Sequence, residues 1–251
     1  MFVPSNDASI ASVGSGPLRF REARERTRAF LAGLDMPPRS PLLTEILCQT
    51  FEHGDLICAS LLLWATDACG GDPETALAVA ASLESFHRFN VLHDELADGI
   101  SSTWGLAQTL NAGDAAHAQA LCLLAVDRAH PQRALRVGVM LTRTLMRRLA
   151  FRSAHGRDGT QPGKCAQLRR ALGSTEALLF GASLRAGATL ADAPDRIVAT
   201  LARAGRLLGV ARRSIPNSNG YAERAVMLVE SAGIDSRYAA QFKEIAYHLV
   251  A

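Results

Sequence analysis

Carboxylates spaced by one helical turn are the residues of this sequence best suited to chemistry. Asp94 and Asp98 stand four residues apart, with Glu95 between them, at the end of a segment with helical periodicity over 74–98. Like charges at this spacing repel each other, and negative charge is unfavourable at a helix C-terminus. A hard cation such as Mg²⁺ relieves both effects, since it binds a few protein oxygens and takes its other ligands from water or phosphate. The pattern predicts a Mg²⁺ site at Asp94, Glu95 and Asp98, with a solvated helix end as the alternative.

Polar side chains precede these carboxylates on the same face of the predicted helix. His87 and Asn90 lead to Asp94 in steps of three and four residues, so all three share one stripe. His87 can hydrogen-bond a ligand oxygen or a carboxylate, and a histidine that packs against a neighbouring helix is the equal alternative. The stripe therefore predicts a polar site that extends along one helix face.

Long helices must position these residues, and the sequence predicts little else. Aromatic residues make up only 6% of the 251 residues, Ala and Leu dominate, and no convincing run alternates with period two. Glycine and proline clusters divide the chain into predicted helices at 19–33, 41–52, 55–69, 74–98, 104–111, 114–129, 132–154, 164–190, 195–213, 221–232 and 236–250. The expected fold is all-α, a bundle whose facing side chains build any site in its core.

The amino-acid composition limits the kinds of protein that this chain can be. Hydrophobic residues at 48% suffice for one domain over 19–251, whereas the Ser, Gly, Asn and Pro of 1–18 predict a disordered leader. A net charge of +3 gives no sign of nucleic-acid binding. No apolar run reaches the length of a membrane span and no secretory signal is visible, so a soluble, cytoplasmic protein is expected. The five scattered cysteines are interpreted as small buried hydrophobes.

Two neighbouring segments resemble the trans-polyprenyl diphosphate synthase family. Residues 83–98 read Leu-Glu-Ser-Phe-His-Arg-Phe-Asn-Val-Leu-His-Asp-Glu-Leu-Ala-Asp, and residues 104–114 read Trp-Gly-Leu-Ala-Gln-Thr-Leu-Asn-Ala-Gly-Asp. In that family a helix ending in His-Asp-Asp-x-x-Asp precedes a helix that starts Gly-Leu-Ala-x-x-Ile-Asn-Ala-Gly-Asp. Thr175-Glu-Ala-Leu also resembles the family's Lys-Thr-x-x-Leu helix. The resemblance implies an isoprenoid-synthase-like bundle of long helices around a central cavity.

The resemblance also implies a chemistry. Family members release diphosphate from an allylic substrate with the help of Mg²⁺, after which isopentenyl diphosphate attacks the carbocation, and two facing carboxylate clusters hold the metal ions. The resemblance assigns Asp94, Glu95 and Asp98 to the first of these carboxylate clusters. Phe89 is bulky where related enzymes limit cavity depth, with core packing as the alternative. The implied substrate-binding positions are His87, Phe89, Asn90, Arg148 and Thr175.

The sequence departs from the family at its other binding motifs. The segment Arg212-Arg-Ser-Ile-Pro-Asn217 stands where a second aspartate-rich motif is expected, and His53-Gly-Asp-Leu-Ile-Cys-Ala59 replaces the Gly-Gly-Lys-Arg-x-Arg-Pro that binds isopentenyl diphosphate. Leu145 and Arg148 replace a Gln and an Asp, and Ser174 replaces a Lys. A diphosphate without these cations has few partners, so normal chain elongation is not expected.

Two functions remain open. The chain is either a divergent, terpene-synthase-like enzyme that ionises a prenyl diphosphate, or a catalytically inactive partner that forms a homodimer or a heterodimer with an active prenyl synthase. An enzyme should keep a second metal-binding helix, and none is visible in the sequence. Because the carboxylates of the acidic stripe repel each other unless a ligand is bound, the stripe slightly favours the hypothesis that the chain is an enzyme.

Basic residues concentrate between Arg128 and Arg170, a segment that contains eleven Lys and Arg residues and a single acidic residue, Asp158. They suit a diphosphate clamp, an acidic partner surface or weak nucleic-acid contact, against the alternative of a solvated helix face. If Arg148 points into the bundle, it can pair with Asp94 or Asp98 and supply the charge that Mg²⁺ supplies in an enzyme. Replacing both aspartates by Asn is expected to stabilise the protein unless that pairing exists.

Overall fold

The protein is mainly helical in the part that the computed structural model describes, which comprises residues 20–34, 42–43, 45–47, 54–99, 104–127, 129–154, 171–213 and 218–249. Its helices are α1 (Phe20–Ala32), α2 (Ile57–Ala68), α3 (Leu77–Ala97), α4 (Leu106–Val126), α5 (Pro131–Ala154), α6 (Thr175–Leu190), α7 (Asp195–Ala211), α8 (Ser218–Glu230) and α9 (Ser236–His248). A 3₁₀ turn, Glu74–Ala76, leads into α3, and residues 42–43 and 45–47 are helical as well. These residues contain no strand, which confirms the all-α fold. The predicted leader lies outside the described residues.

Helix α2 forms the centre of the bundle. Every residue from Ile57 to Thr66 is buried, because the helix is apolar on all of its faces. It packs against α1, α3 and α6, and the ring of Trp64 lies 5.1 Å from that of Phe242 on α9. Residues at its N-terminal end are therefore held in a water-excluded setting.

Close helix packing around α2 depends on glycine. A Cβ atom at Gly187 of α6 would lie 2.2 Å from the backbone oxygen of Leu62, so only glycine allows this approach. The Thr66 hydroxyl, which donates to Leu62 O at 3.0 Å, also lies 3.3 Å from Gly187 O. Such contacts fix α6 against the central helix, and with it the start of α6 near the candidate site.

The predicted break between 111 and 114 is wrong, since α4 runs unbroken through it. Gly113 serves packing here, because a Cβ at this position would lie 2.5 Å from Cε1 of His93 on α3. The helix predicted over 164–190 is also interrupted, by a turn at 173–174. The Ser174 hydroxyl accepts a hydrogen bond from Ala177 N at 3.2 Å and so caps a new helix, α6.

Helix α3 connects the centre of the bundle with its surface. Its N-terminal half is buried against α2 and α4, whereas its last turn is partly exposed. Among the described residues, no helix combines the length and apolar character needed to cross a membrane.

Candidate functional site

Two polar clusters lie along α3 where the sequence predicted one continuous site. The Cys58 cluster consists of Cys58, Glu84 and His87, near the middle of the bundle. The Asp94 network consists of Asp94, Asp98, Arg148, Arg152 and Thr175, at the end of α3. The structure thus separates His87 from the carboxylates with which the sequence grouped it.

Asp94 is the centre of its network. Its Oδ1 accepts hydrogen bonds from Nη2 of Arg148 and Nη1 of Arg152, two residues of α5. Its Oδ2 accepts from the hydroxyl of Thr175 at 2.8 Å, at the start of α6. Three helices therefore meet at a single carboxylate.

Arg148 is the buried cation of the network, with a side chain only 5% exposed. Its Nε donates to the Thr175 hydroxyl at 2.9 Å, and its Nη2 also approaches the backbone oxygen of Asn90 at 3.4 Å. Thr175 accepts from the arginine and donates to Asp94, so it links the two charges. The predicted pairing of Arg148 with the acidic stripe is confirmed.

Arg152 extends the network to the end of α3. Its Nη2 donates to Oδ1 of Asp98 at 3.1 Å, so this arginine joins both aspartates. Asp98 is 54% exposed, and Glu95 makes no hydrogen bond or ion pair within the described part of the chain. The positive charge of Arg148 and Arg152 thus offsets the repulsion that the sequence assigned to Asp94 and Asp98.

The arrangement does not fit Mg²⁺ as it stands. Both oxygens of Asp94 are already engaged, by guanidinium groups and a hydroxyl donor. A magnesium ion needs carboxylate oxygens free to complete an octahedron, and two neighbouring cations oppose it. Binding of Mg²⁺ at Asp94 and Asp98 would require Arg148 and Arg152 to move, so the metal assignment stays a prediction.

Cations also lie where the resemblance expects a second acidic motif. Arg212, at the end of α7, pairs with Asp55 at 2.9 Å, and Arg213 lies 3.4 Å from Glu176. Residues 214–217, which include the positions of the expected aspartates, lie outside the described residues. The described end of α7 is therefore basic.

The Cys58 cluster joins the start of α2 to α3. Ligand atoms of Cys58, Glu84 and His87 all lie within 4.8 Å of one another. Cys58 and Glu84 are fully buried, and His87 is 18% exposed. The backbone N–H of Ala59 donates to Oε2 of Glu84 at 3.3 Å, which orients the carboxylate.

His87 and Glu84 are electrostatically coupled. Nδ1 of His87 lies 3.1 Å from Oε1 of Glu84, and Nε of Arg88 lies 3.8 Å from the same oxygen. Burial alone raises the pKa of Glu84, but the hydrogen bond and charge of His87, with Arg88, lower it below its usual value. Burial lowers the pKa of His87, whereas the hydrogen-bonded Cys58 and Glu84 raise it more strongly, to about 10. The contacts of His87 therefore favour its protonated form.

Phe89 and Asn90 occupy the turn between the two clusters. The Phe89 ring stacks on His117 of α4 at 4.8 Å and tilts against His93 at 4.4 Å, which favours the packing alternative for this residue. Asn90 is fully buried, and its Nδ2 donates to Phe86 O at 2.6 Å. Its Oδ1 has no hydrogen-bond partner among the described residues. Substrate binding at both positions stays a prediction.

Sequence reasoning missed Arg152, Cys58 and Glu84 as site residues. Arg152 lies four residues after Arg148, the same spacing that relates Asp98 to Asp94, and this matched spacing was a usable signal. Glu84 and His87, three residues apart, share a helix face in the same way. Cys58 had no signal, since only the fold brings it to α3.

Comparisons with known proteins identify the class. The chain is 36% identical to (2E,6E)-farnesyl diphosphate synthase of Mycobacterium tuberculosis (strain ATCC 25618 / H37Rv) over 169 residues, which cover 63% of this chain and 46% of the relative. It is 31% identical over 215 residues to geranylgeranyl diphosphate synthase of the same strain, covering 73% and 59%. The chain thus spans about half the length of the curated relatives it matches. No protein-family model matches it.

Solved structures show the same fold. Geranylgeranyl pyrophosphate synthetase from the archaeon Geoglobus acetivorans superposes with a TM-score of 0.79 at 16% identity, over 92% of this chain and 97% of that one. The geranyl diphosphate synthase small subunit from Antirrhinum majus gives a TM-score of 0.72 at 18% identity, over 91% and 97%. The fold is that of the isoprenoid synthases. The chain belongs to the trans-polyprenyl diphosphate synthase family.

Proposed function

We propose that this chain is a non-elongating member of its family that acts as the inactive partner of an active prenyl synthase. The Asp94 network is the observation that carries the proposal. In an elongating enzyme the first aspartates face a metal-bound diphosphate. Here Arg148 and Arg152 already satisfy Asp94, and Arg148 is buried in that role.

The neighbouring positions support the same conclusion. Cys58 stands where the resemblance places an arginine for isopentenyl diphosphate, and it is directed to Glu84 and His87 instead. Arg212 and Arg213, at the position of the second motif, pair with Asp55 and Glu176. A second carboxylate cluster and a diphosphate clamp are therefore not expected at these positions.

The outer faces of α4 and α5 supply a surface for the partner. Seven of the ten exposed large hydrophobic side chains in the described part of the chain lie on these two helices. Their spacings of three, four, seven and eleven residues place them on one face of each helix. They are Leu106, Leu110 and Leu121 of α4, and Leu135, Val139, Met146 and Leu149 of α5. Exposed apolar stripes of this kind are typical of protein–protein interfaces.

Two solved structures of this fold come from synthases with more than one kind of subunit or more than one chain. One similar structure is a geranyl diphosphate synthase small subunit, and another is a heterotetrameric geranyl pyrophosphate synthase from mint. By analogy, we expect this chain to pair with a prenyl synthase encoded in the same organism and to change the length or amount of its product.

The test begins with the chain alone. Purified protein is incubated with Mg²⁺ and geranyl, farnesyl or geranylgeranyl diphosphate, with and without isopentenyl diphosphate, and pyrophosphate release and products are measured. We expect neither. Co-expression with each prenyl synthase of the organism should then yield a complex of defined mass and an altered product profile.

Surface variants give this test a matched control. Leu110→Lys with Leu121→Lys should abolish the complex, because both charges enter the apolar face of α4. Met227→Lys alters another exposed apolar residue, on α8, and should leave the complex intact. Equal loss with both variants, or no complex with any synthase, contradicts the partner role.

A second candidate function is a terpene-synthase-like enzyme acting on a prenyl diphosphate. It is favoured by the carboxylates at the end of α3, where Asp98 is more than half exposed and has one ion pair within the described residues. Pyrophosphate release from the chain alone, lost in Asp94→Asn and retained in Leu110→Lys, would establish this enzyme and replace the partner proposal.

A further inference from the structure

We propose that Cys58, Glu84 and His87 form a binding site for a zinc-class transition-metal ion. This site is separate from the Asp94 network and does not depend on the proposed function. A thiolate, an imidazole and a carboxylate are the ligand types that Zn²⁺ prefers, in contrast to the all-oxygen set that suits Mg²⁺.

The distances suit a small ion. The three ligand atoms lie within 4.8 Å of one another, and tetrahedral zinc with bonds of about 2.0–2.3 Å holds its ligands about 3.3–3.6 Å apart. Nδ1 of His87 and Oε1 of Glu84 are already 3.1 Å apart, so the contraction needed at the third ligand is at most about 1.5 Å.

The charges balance as well. Ionised Cys58 and Glu84 with neutral His87 carry two negative charges, which equal the charge of the ion. Arg88 lies outside the ligand set, 3.8 Å from Glu84, and the Ala59 N–H orients the carboxylate from behind, as outer groups do in metal sites. Both anionic ligands are fully buried, so a bound cation would offset the cost of removing their charges from water.

Access favours a metal over a covalent reaction at the thiol. Cys58 is fully buried and so is shielded from a bulky substrate, whereas the side chain of His87 is 18% exposed. Three protein ligands leave a fourth coordination position for water or another small ligand, as in three-ligand zinc sites.

Cobalt titration of the full-length protein after treatment with a chelator tests the site. Co²⁺ reports its ligands by colour, since a bound thiolate gives sulfur-to-cobalt charge-transfer absorption in the near ultraviolet. We expect one equivalent to bind with this absorption, and one equivalent of Zn²⁺ to abolish it. Absence of the absorption at a tenfold excess of Co²⁺ overturns the proposal and leaves the cluster as a proton-linked ion pair.

Two isosteric variants locate the ligand. Cys58→Ser should lose the charge-transfer absorption and at least about tenfold in affinity. Cys122→Ser removes an exposed thiol on α4 and should behave like the parent. Retention of the absorption in Cys58→Ser overturns the proposal. If that variant does not fold, one equivalent of Zn²⁺ must still raise the unfolding temperature of the chelator-treated parent protein and of Cys122→Ser alike, and failure to do so overturns the proposal equally.

Discussion

In each of the two polar clusters of α3 a carboxylate is balanced by cationic side chains, but the cations come from different parts of the chain. Glu84, fully buried, is compensated by His87 and Arg88, three and four residues further along the same helix. Asp94, partly exposed, is compensated by Arg148 and Arg152, which are 54 and 58 residues away on α5. One carboxylate is balanced within its own helix and the other by a different helix.

The comparison shows which acid is available for binding. The pairing of Glu84 with His87 and Arg88 forms whenever α3 forms, and α2 adds only Cys58 and the Ala59 N–H to the Cys58 cluster. The pairing of Asp94 depends on the packing of three helices, because the arginines of α5 bind its Oδ1 and Thr175 of α6 binds its Oδ2. The acidic motif that most resembles a metal site is thus the one in which the fold places arginines.

The largest expected effect lies in the Cys58 cluster. His87→Gln keeps a hydrogen-bond donor but removes the charge facing Glu84, and it should lower the free energy of unfolding by about 3 kcal/mol at pH 6, because a buried carboxylate loses its partner. The pKa of His87 is raised from 6.5 to about 10, so its contribution is complete below about pH 6.5 and is lost as the pH rises toward 10.

Urea unfolding of both proteins with a chelator present, from pH 6 to pH 9.5, measures this difference. His248→Gln, at an exposed position at the end of α9, is the control and should change stability by less than about 0.5 kcal/mol. A difference that grows with pH would contradict the assignment of a raised pKa.

A smaller loss is expected at the end of α3. Asp94→Asn leaves the buried Arg148 without its counter-charge, and should destabilise the protein by about 2 kcal/mol in the absence of divalent cations. The same substitution one turn further on, Asp98→Asn, should cost less than about 0.5 kcal/mol because Asp98 is mostly exposed. Stabilisation by Asp94→Asn would instead show that repulsion between the aspartates exceeds their pairing with α5.

A double-mutant cycle sharpens this contrast. Arg148→Met and Asp94→Asn together should cost less than the sum of the single changes, with a coupling of about 1.5 kcal/mol in chemical denaturation. Arg147→Met changes an exposed neighbour on α5, and its cycle with Asp94→Asn should give no coupling. Equal coupling in both cycles would mean that the general charge of α5, rather than Arg148, balances Asp94.

The smallest change in the free energy of unfolding is expected at Thr175, which lies between Arg148 and Asp94. Thr175→Val removes the hydroxyl that donates to Asp94 and accepts from Arg148, and should cost about 1 kcal/mol in thermal or urea unfolding. Thr142→Val is the control, since among the described residues that exposed hydroxyl bonds only to Gly138 O of its own helix. If the two variants are equally stable, Thr175 makes no net contribution to the network.

Much of the fold could be predicted from periodicity alone. Helices α2, α3, α5, α7 and α9 lie close to their predicted ranges, because each has a breaker or a cap near its ends. The errors at 111–114 and 173–174 both involve glycine. Gly113 lies in a helix because it makes room for His93, and local sequence does not distinguish such a glycine from one that ends a helix.

The candidate site was predictable in part. Helical spacing placed His87, Asn90, Asp94 and Asp98 on one face of α3, and the resemblance indicated that Arg148 points inward. The division of that face into two clusters was not predictable, since it depends on what each neighbouring helix contributes. Cys58 comes from α2 and the arginines from α5, at separations in sequence that periodicity does not address.

The sequence by itself determined the helices, the amphipathic faces and the charge of each segment, because these follow from interactions between residues three or four apart. Only the tertiary structure decided the partners of the charges. It placed Arg148 and Arg152 against Asp94, and Cys58 against His87 and Glu84. The physical reason is that burial in a packed bundle makes each charge require a partner, and which side chain is near enough is set by how the helices pack.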